Sequence, residues 1–230
     1  MAAHRQIIDL RNLLAERFPH SPSLSKALLS TGVDSLDQMV GGGLPKSAIT
    51  ELSSPQPSAG SAALIHQLIR AAHSQNHFLA LIDGADSFDP QSFGNDDLRH
   101  LLWVRCTKTF EAIKAADLLL RDGNFQMVIL DLVLNPAAEL RKIPQTSWYR
   151  LQRLVEATSS VCLVITRHSL VNSAQLKLVL ENWWSLEHLT EHTSISRWRF
   201  GIRRSHFKPE ISHLRFSAAT NQASHLSEVG

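Results

Sequence analysis

The sequence predicts an α/β fold, a mostly parallel sheet flanked by helices, with antiparallel strands towards the C-terminus and a separate helix at the N-terminus. Three observations carry this. Short apolar runs recur from Ser47 onward: AITEL (48–52), FLALID (78–83), LLWVRC (101–106), QMVILDL (126–132) and VCLVIT (161–166). Segments with helical periodicity lie between them, the pattern of parallel strands joined by helical crossovers. After Trp184 the runs SLEHL, ISRWRFGIRR and ISHLRF mix apolar and polar residues, as antiparallel strands extending a sheet do.

Taken in order, Ile7, Leu10, Leu14 and Phe18 recur at helical spacing and predict an amphipathic helix over residues 4–19. HSPSL (20–24) carries a Ser-Pro break and reads as a linker, so residues 1–22 form an appendage to a core spanning 23–216. Within the core, Ile65, Leu68, Ile69 and Ala72 mark one helix, and Ile113, Ala116 and Leu120 mark a second that Gly123 terminates. Leu151, Leu154 and Val155 mark a third, and RHSLVNS leads from VCLVIT into a helix over Gln175–Leu180. The near-continuous apolar strands are expected to be buried on both faces. The small, polar residues 217–230 are expected to be disordered.

Composition narrows the function classes. The 230 residues are 43% hydrophobic and 19% charged, ordinary globular usage that argues against a collagenous, disulfide-scaffold or disordered chain. No run of ~18 apolar residues suggests a membrane span, so a cytoplasmic protein is expected. Cys106 and Cys162 sit inside apolar runs without C-x-x-C spacing and read as reduced, buried residues, not zinc ligands. Net charge is only +2, but unevenly placed: five aspartates and no basic residue lie between Asp83 and Asp97, whereas Arg197–Arg215 holds six basic residues against Glu210 alone. The basic end suits an anion, or the two ends are solvated faces that balance.

In an α/β sheet the ligand site lies beyond the carboxyl ends of the strands, so the first strand-to-helix loop, SSPQPSAGSAALI (53–65), is the place to look. A phosphate-binding loop needs glycines for close approach, a lysine for the β- and γ-phosphates and a neighbouring hydroxyl for magnesium. Here Gly60 is followed by Ser61, Ala62 and Ala63, and Pro55 and Pro57 remove backbone donors. Ser54, Gly60, Ser61 and Asp131 therefore form at most a vestigial nucleotide site, with no tight binding, cofactor or metal expected.

The run TGVDSLDQMVGGGLPKSAITEL (31–52) resembles the lead-in to a RecA-type recombinase core. LIDGADSFDP (81–90) resembles the RecA strand that carries the catalytic glutamate, with Ala85 at the glutamate position, and VILDL places Asp131 at the Walker-B aspartate. RFGIRRSHFKPEISHLRF resembles the closing strands of that core. With the lysine, the magnesium hydroxyl and the general base replaced, the resemblance implies a RecA-like fold without ATPase activity. On a chain of this length with an N-terminal helix, it is most similar to the ImuA family of mutagenesis accessory proteins. That resemblance implies a non-catalytic role in damage-induced, error-prone DNA synthesis. The implied partners are an ImuB-like polymerase-related protein and a DnaE-type polymerase, with RecA itself and DNA as further candidates. A SulA-like division inhibitor and a functional RecA-type DNA-dependent ATPase are the alternatives.

Other features admit two readings. His188-Leu-Thr-Glu-His192 spells the inverzincin motif, but its neighbours favour strand and turn over the helix a zinc site requires. Asp131 is either a residual magnesium ligand or a cap on the next turn. Glu51 reads as a helix-facing or hydrogen-bonded carboxylate without chemistry. Trp183, Trp184, Trp198 and Phe200 either stack single-stranded bases beside the arginines or pack the last strands. Arg197, Arg199, Arg203, Arg204 and Lys208 form the candidate partner or DNA surface. Ile7, Leu10, Leu14 and Phe18 form a docking stripe, unless that helix packs on its own core.

Overall fold

The computed structural model describes residues 27–56, 59–94, 96–182 and 198–205. A short antiparallel pair, β1 (Leu28–Leu29) and β2 (Leu44–Pro45), brackets helix α1 (Asp34–Val40). There follow β3 (Ala48–Ser53), α2 (Ser61–Ser74), β4 (Leu79–Asp83), β5 (Leu101–Arg105) and α3 (Thr109–Asp122). The described chain continues with β6 (Met127–Asp131), α4 (Ala137–Leu140), α5 (Gln145–Glu156), β7 (Val161–Thr166), β8 (Leu176–Leu180) and β9 (Phe200–Ser205). Seven strands form one sheet in the order β5-β4-β6-β7-β3-β8-β9, parallel throughout except for β9, which runs antiparallel to β8.

Strand alternation divides the interior between the two faces. Leu52, Leu81, Ile129, Leu163 and Ile165 pack with Leu64, Leu68 and Ile69 of α2. Ile49, Ile82, Leu130 and Val164 face the other way, against Ala116 and Leu120 of α3 and Trp148, Leu151 and Val155 of α5. Each such aliphatic side chain contributes about 1.5–3 kcal/mol when fully buried. The strong apolar periodicity of α2, α3 and α5 thus becomes their sheet-facing stripe, and Gly123 ends α3 in the left-handed conformation at φ 70°, where its amide returns to Leu119 O.

Two expectations are corrected. Residues 175–180 are not helical: Leu176–Leu180 is strand β8, paired with β3 on one side and β9 on the other. Leu176, Leu178 and Leu180 alternate onto one face, and pairing satisfies the β3 edge that a helix there would leave open. The run at 101–106 is not buried on both faces either. With β4 alone beside it, β5 is an outer strand among the described residues, and Leu102 is 40% exposed. Cys106 and Cys162 are buried and unlinked, and burial pushes the Cys162 thiol up to about 12. No described helix is long and apolar enough to cross a membrane. The expected N-terminal helix, the linker and the tail lie outside the described residues.

Candidate functional site

The loop after β3 leaves the carboxyl edge of the sheet between β7 and β8, where a phosphate loop belongs in this topology. Buried Ser54 is tied down by its amide, which donates to Thr166 O at 2.7 Å. Pro55 and Gln56 are exposed, and Gly60, at φ 94°, precedes the 14-residue α2. No side chain caps that helix start. Ser61 and Ala62 open the helix, Ser61 half-buried and Ala62 exposed, and neither carries a positive charge. These residues do not fit a magnesium–nucleotide complex: they supply backbone amides but no cation.

Asp83 and Asp131 stand opposite one another at the ends of β4 and β6. Asp83 is 1% exposed, and its carboxylate builds the following turn, accepting from the amides of Ser87 and Phe88 at 2.7 Å each. Asp131 Oδ1 accepts from Val133 N at 3.1 Å, which is the turn-capping role. Burial raises the Asp131 carboxyl to about 6, with the Asp83 charge adding in the same direction and the Val133 bond opposing it. Ala85, beside them, offers only an amide to Asp83. Gly84 packs so closely that an added Cβ would lie 2.4 Å from Asn135 Oδ1.

Glu51, the middle of β3, is fully buried and highly connected. Its carboxylate accepts from Ser169 Oγ at 2.7 Å, Val171 N at 2.8 Å, the Leu170 amide, and Lys177 Nζ at 2.9 Å. These donors all belong to the β7–β8 connection and the start of strand β8. The hydrogen-bonded alternative for Glu51 is therefore the observed one.

The family model of the RecA N-terminal domain matches residues 19–157, which take in β1, the TGVDSLDQMVGGGLP segment with α1 and β2, and strands β3 to β6. The chain belongs to the RecA N-terminal domain family. Protein RecA of Psychrobacter cryohalolentis is 32% identical over 138 residues, covering 56% of this chain and 38% of that protein. Protein RecA of Chlorobaculum tepidum is 29% identical over 158 residues, covering 61% and 45%, and that of Chlorobium chlorochromatii is 28% identical over 165, covering 64% and 46%. The RecA match thus spans less than half the length of these relatives.

Of the other candidate residues on this RecA-family chain, Arg199, Arg203 and Arg204 are exposed, the last two in β9. Trp198 is 6% exposed and joins the α2-side core, with Phe200 stacked on it at 6.0 Å between ring centroids. Trp198 is thus core, and Phe200, the first residue of β9, is partly buried against the same cluster. The acidic run is not one anionic face. Asp86 is forked by Arg105 at 2.6 and 2.8 Å, which lowers its carboxyl, while Asp96 pairs with Arg99 and Asp97 with Arg70. Arg197, Lys208, Trp183, Trp184, His188–His192 and Ile7, Leu10, Leu14 and Phe18 lie outside the described residues. Sequence reasoning missed Lys177 and Ser169, the partners of Glu51; a lysine within an apolar alternating run was the available signal.

Proposed function

We propose that this chain is a RecA-family accessory protein that does not hydrolyse ATP. On this reading it serves damage-induced, error-prone DNA synthesis in the manner of the ImuA family, through contacts with an ImuB-like polymerase-related protein and a DnaE-type polymerase. The observation that carries the reading is the start of α2, where Ser61 and Ala62 follow Gly60 directly at the carboxyl edge of the sheet. Phosphoryl transfer is almost entirely positioning and charge stabilisation, so a site without cation, metal hydroxyl or base has little to contribute. Ala85 in place of a carboxylate, and Asp131 engaged with Val133 N, support the same reading.

The test is phosphate release from ATP by the purified full chain, with and without circular single-stranded DNA. Background rates are expected, and DNA-stimulated turnover above a mock preparation overturns the proposal. In cells, loss of the protein should lower damage-induced mutation and leave filamentation unchanged. Division arrest on overproduction would instead assign the chain to SulA-like inhibitors.

A further inference from the structure

The connections after β6 and β7 enclose a cleft of about 540 Å³ on the carboxyl edge of the sheet. This volume lies within the range of sites that hold a ligand group or several side chains, about 300–1,000 Å³. Its apolar wall is made by Leu134, Pro136, Leu140 and Leu170, and Leu134 is 57% exposed. Its charged residues are Arg141 and Arg167, with the His168 imidazole beside them; no carboxylate lines it. Arg141 has no side-chain partner among the described residues. Arg167 gives only its Nε, at 3.1 Å, to Val133 O, which leaves the outer edge of its guanidinium to face a ligand. The acid on α4, Glu139, accepts from Thr109 Oγ1 at 2.9 Å, and among the described residues it forms no ion pair with either arginine.

Both walls are held before anything binds. Ser169, Leu170 and Val171 hang from the buried Glu51 carboxylate. Across the cleft, the amide of Asn135 donates to Leu132 O, and its side-chain Nδ2 donates to Gly84 O at 2.7 Å and Thr109 Oγ1 at 3.1 Å. A cleft fixed in this way loses little ordering entropy on binding.

We propose that this cleft is a docking site for a peptide segment of a partner protein that carries an aliphatic or aromatic side chain close to an aspartate or glutamate. The apolar side chain fills the leucine-lined wall and the carboxylate is gripped by Arg141 and Arg167, whose planar donors match a carboxylate edge. A nucleic-acid strand fits less well. Apart from His168 no aromatic ring lines the cleft, and stacking platforms are what make such strands bind. The site is separate from Arg203 and Arg204 and holds whether or not the chain hydrolyses ATP.

The experiment selects phage-displayed random dodecapeptides on the immobilised full chain. Selected sequences are then synthesised with a fluorophore and their binding followed by anisotropy. Enriched peptides should share an apolar residue within a few positions of an acid. Arg141→Glu and Leu134→Asp, both at exposed positions, should each weaken binding about tenfold while the thermal unfolding curve stays in place. An acid-to-lysine peptide should recover affinity for Arg141→Glu, which general destabilisation would not produce. Enrichment without that pattern, or peptides insensitive to both substitutions, overturns the proposal. So does an oligothymidylate strand that binds the wild type and loses affinity with both variants while the peptides do not.

Discussion

Replacing Glu51 by alanine removes the one acceptor that the β7–β8 connection shares. The amides of Leu170 and Val171 lose their partner inside the protein, at about 1–3 kcal/mol for each unmet buried donor. Lys177, whose side chain is only 12% exposed, loses the opposite charge at 2.9 Å, and breaking a buried pair from one side costs about 3–5 kcal/mol. The terms overlap because the same segment relaxes in response, so the expected loss is on the order of 4 kcal/mol, roughly a quarter or more of a typical ~5–15 kcal/mol total. Glu51→Gln keeps an acceptor oxygen and the volume, and should lose about half as much. Urea unfolding followed by far-ultraviolet circular dichroism reads the free energies, and amide exchange reads the mechanism: protection at Leu170 and Val171 should collapse in the alanine variant. A loss under about 1 kcal/mol would show that the carboxylate is not what holds the crossover, and a glutamine variant as damaged as the alanine one would show that its charge and not its acceptor geometry does the holding.

Asp131 gives a pH prediction. Its folded carboxyl titrates at about 6 against an ordinary ~3.9 in the unfolded chain, so the stabilisation from keeping it protonated is complete below about pH 4 and is lost as pH rises through about 6. Asp131→Asn, whose side-chain oxygen can still accept from Val133 N, should therefore gain up to about 3 kcal/mol at pH 7.5 and flatten that slope; a variant no more stable than the wild type at pH 7.5 would refute the burial argument. Gly84→Ala should lower stability by about 1–3 kcal/mol, because the new methyl meets Asn135 Oδ1 at 2.4 Å and Asp131 O at 2.8 Å; calorimetry would expose a tolerant site as an unchanged melting temperature. Reversing Arg203 and Arg204 to glutamate should abolish damage-induced mutagenesis with a near-constant melting temperature, since exposed charges contribute about 0–1 kcal/mol, and full activity would remove β9 from the functional surface. If activity falls, steep weakening of binding between ~50 and 200 mM salt would assign the contact to phosphates.

The central strands were legible because burial on both faces leaves continuous apolar runs, as in VCLVIT, all six residues of which are buried. The helices between them were legible because one stripe of each meets the sheet. The stretch at Leu176–Leu180 misled for a physical reason: Ala-Gln-Leu-Lys-Leu is acceptable helix sequence, and only the vacant side of β3, set by residues more than a hundred positions earlier, makes it a strand. LLWVRC misled because local pattern carries no information about how many neighbours a strand has. At the candidate site, Ser61, Ala62 and Ala85 could be read directly, and the turn cap at Asp131 was one of the two readings that its place at a strand end allowed. The partners of Glu51 and the cleft could not, since each is assembled from loops that only the strand order brings side by side.

The sheet that separates the two apolar clusters also separates their fates. Leu163 and Cys162 are adjacent in sequence, yet one transmits a change of volume to α2 and the other to α3 and α5. Substitutions drawn one from each side share few neighbours, so their energies should add, and either side can be repacked without renegotiating the other. Ala59, just before α2, belongs to the α2-side cluster, whereas Leu140 and Val171 behind the cleft belong to the α3–α5 side. A lineage could therefore let one surface decay and refine the other, with the strands between them acting as a bulkhead.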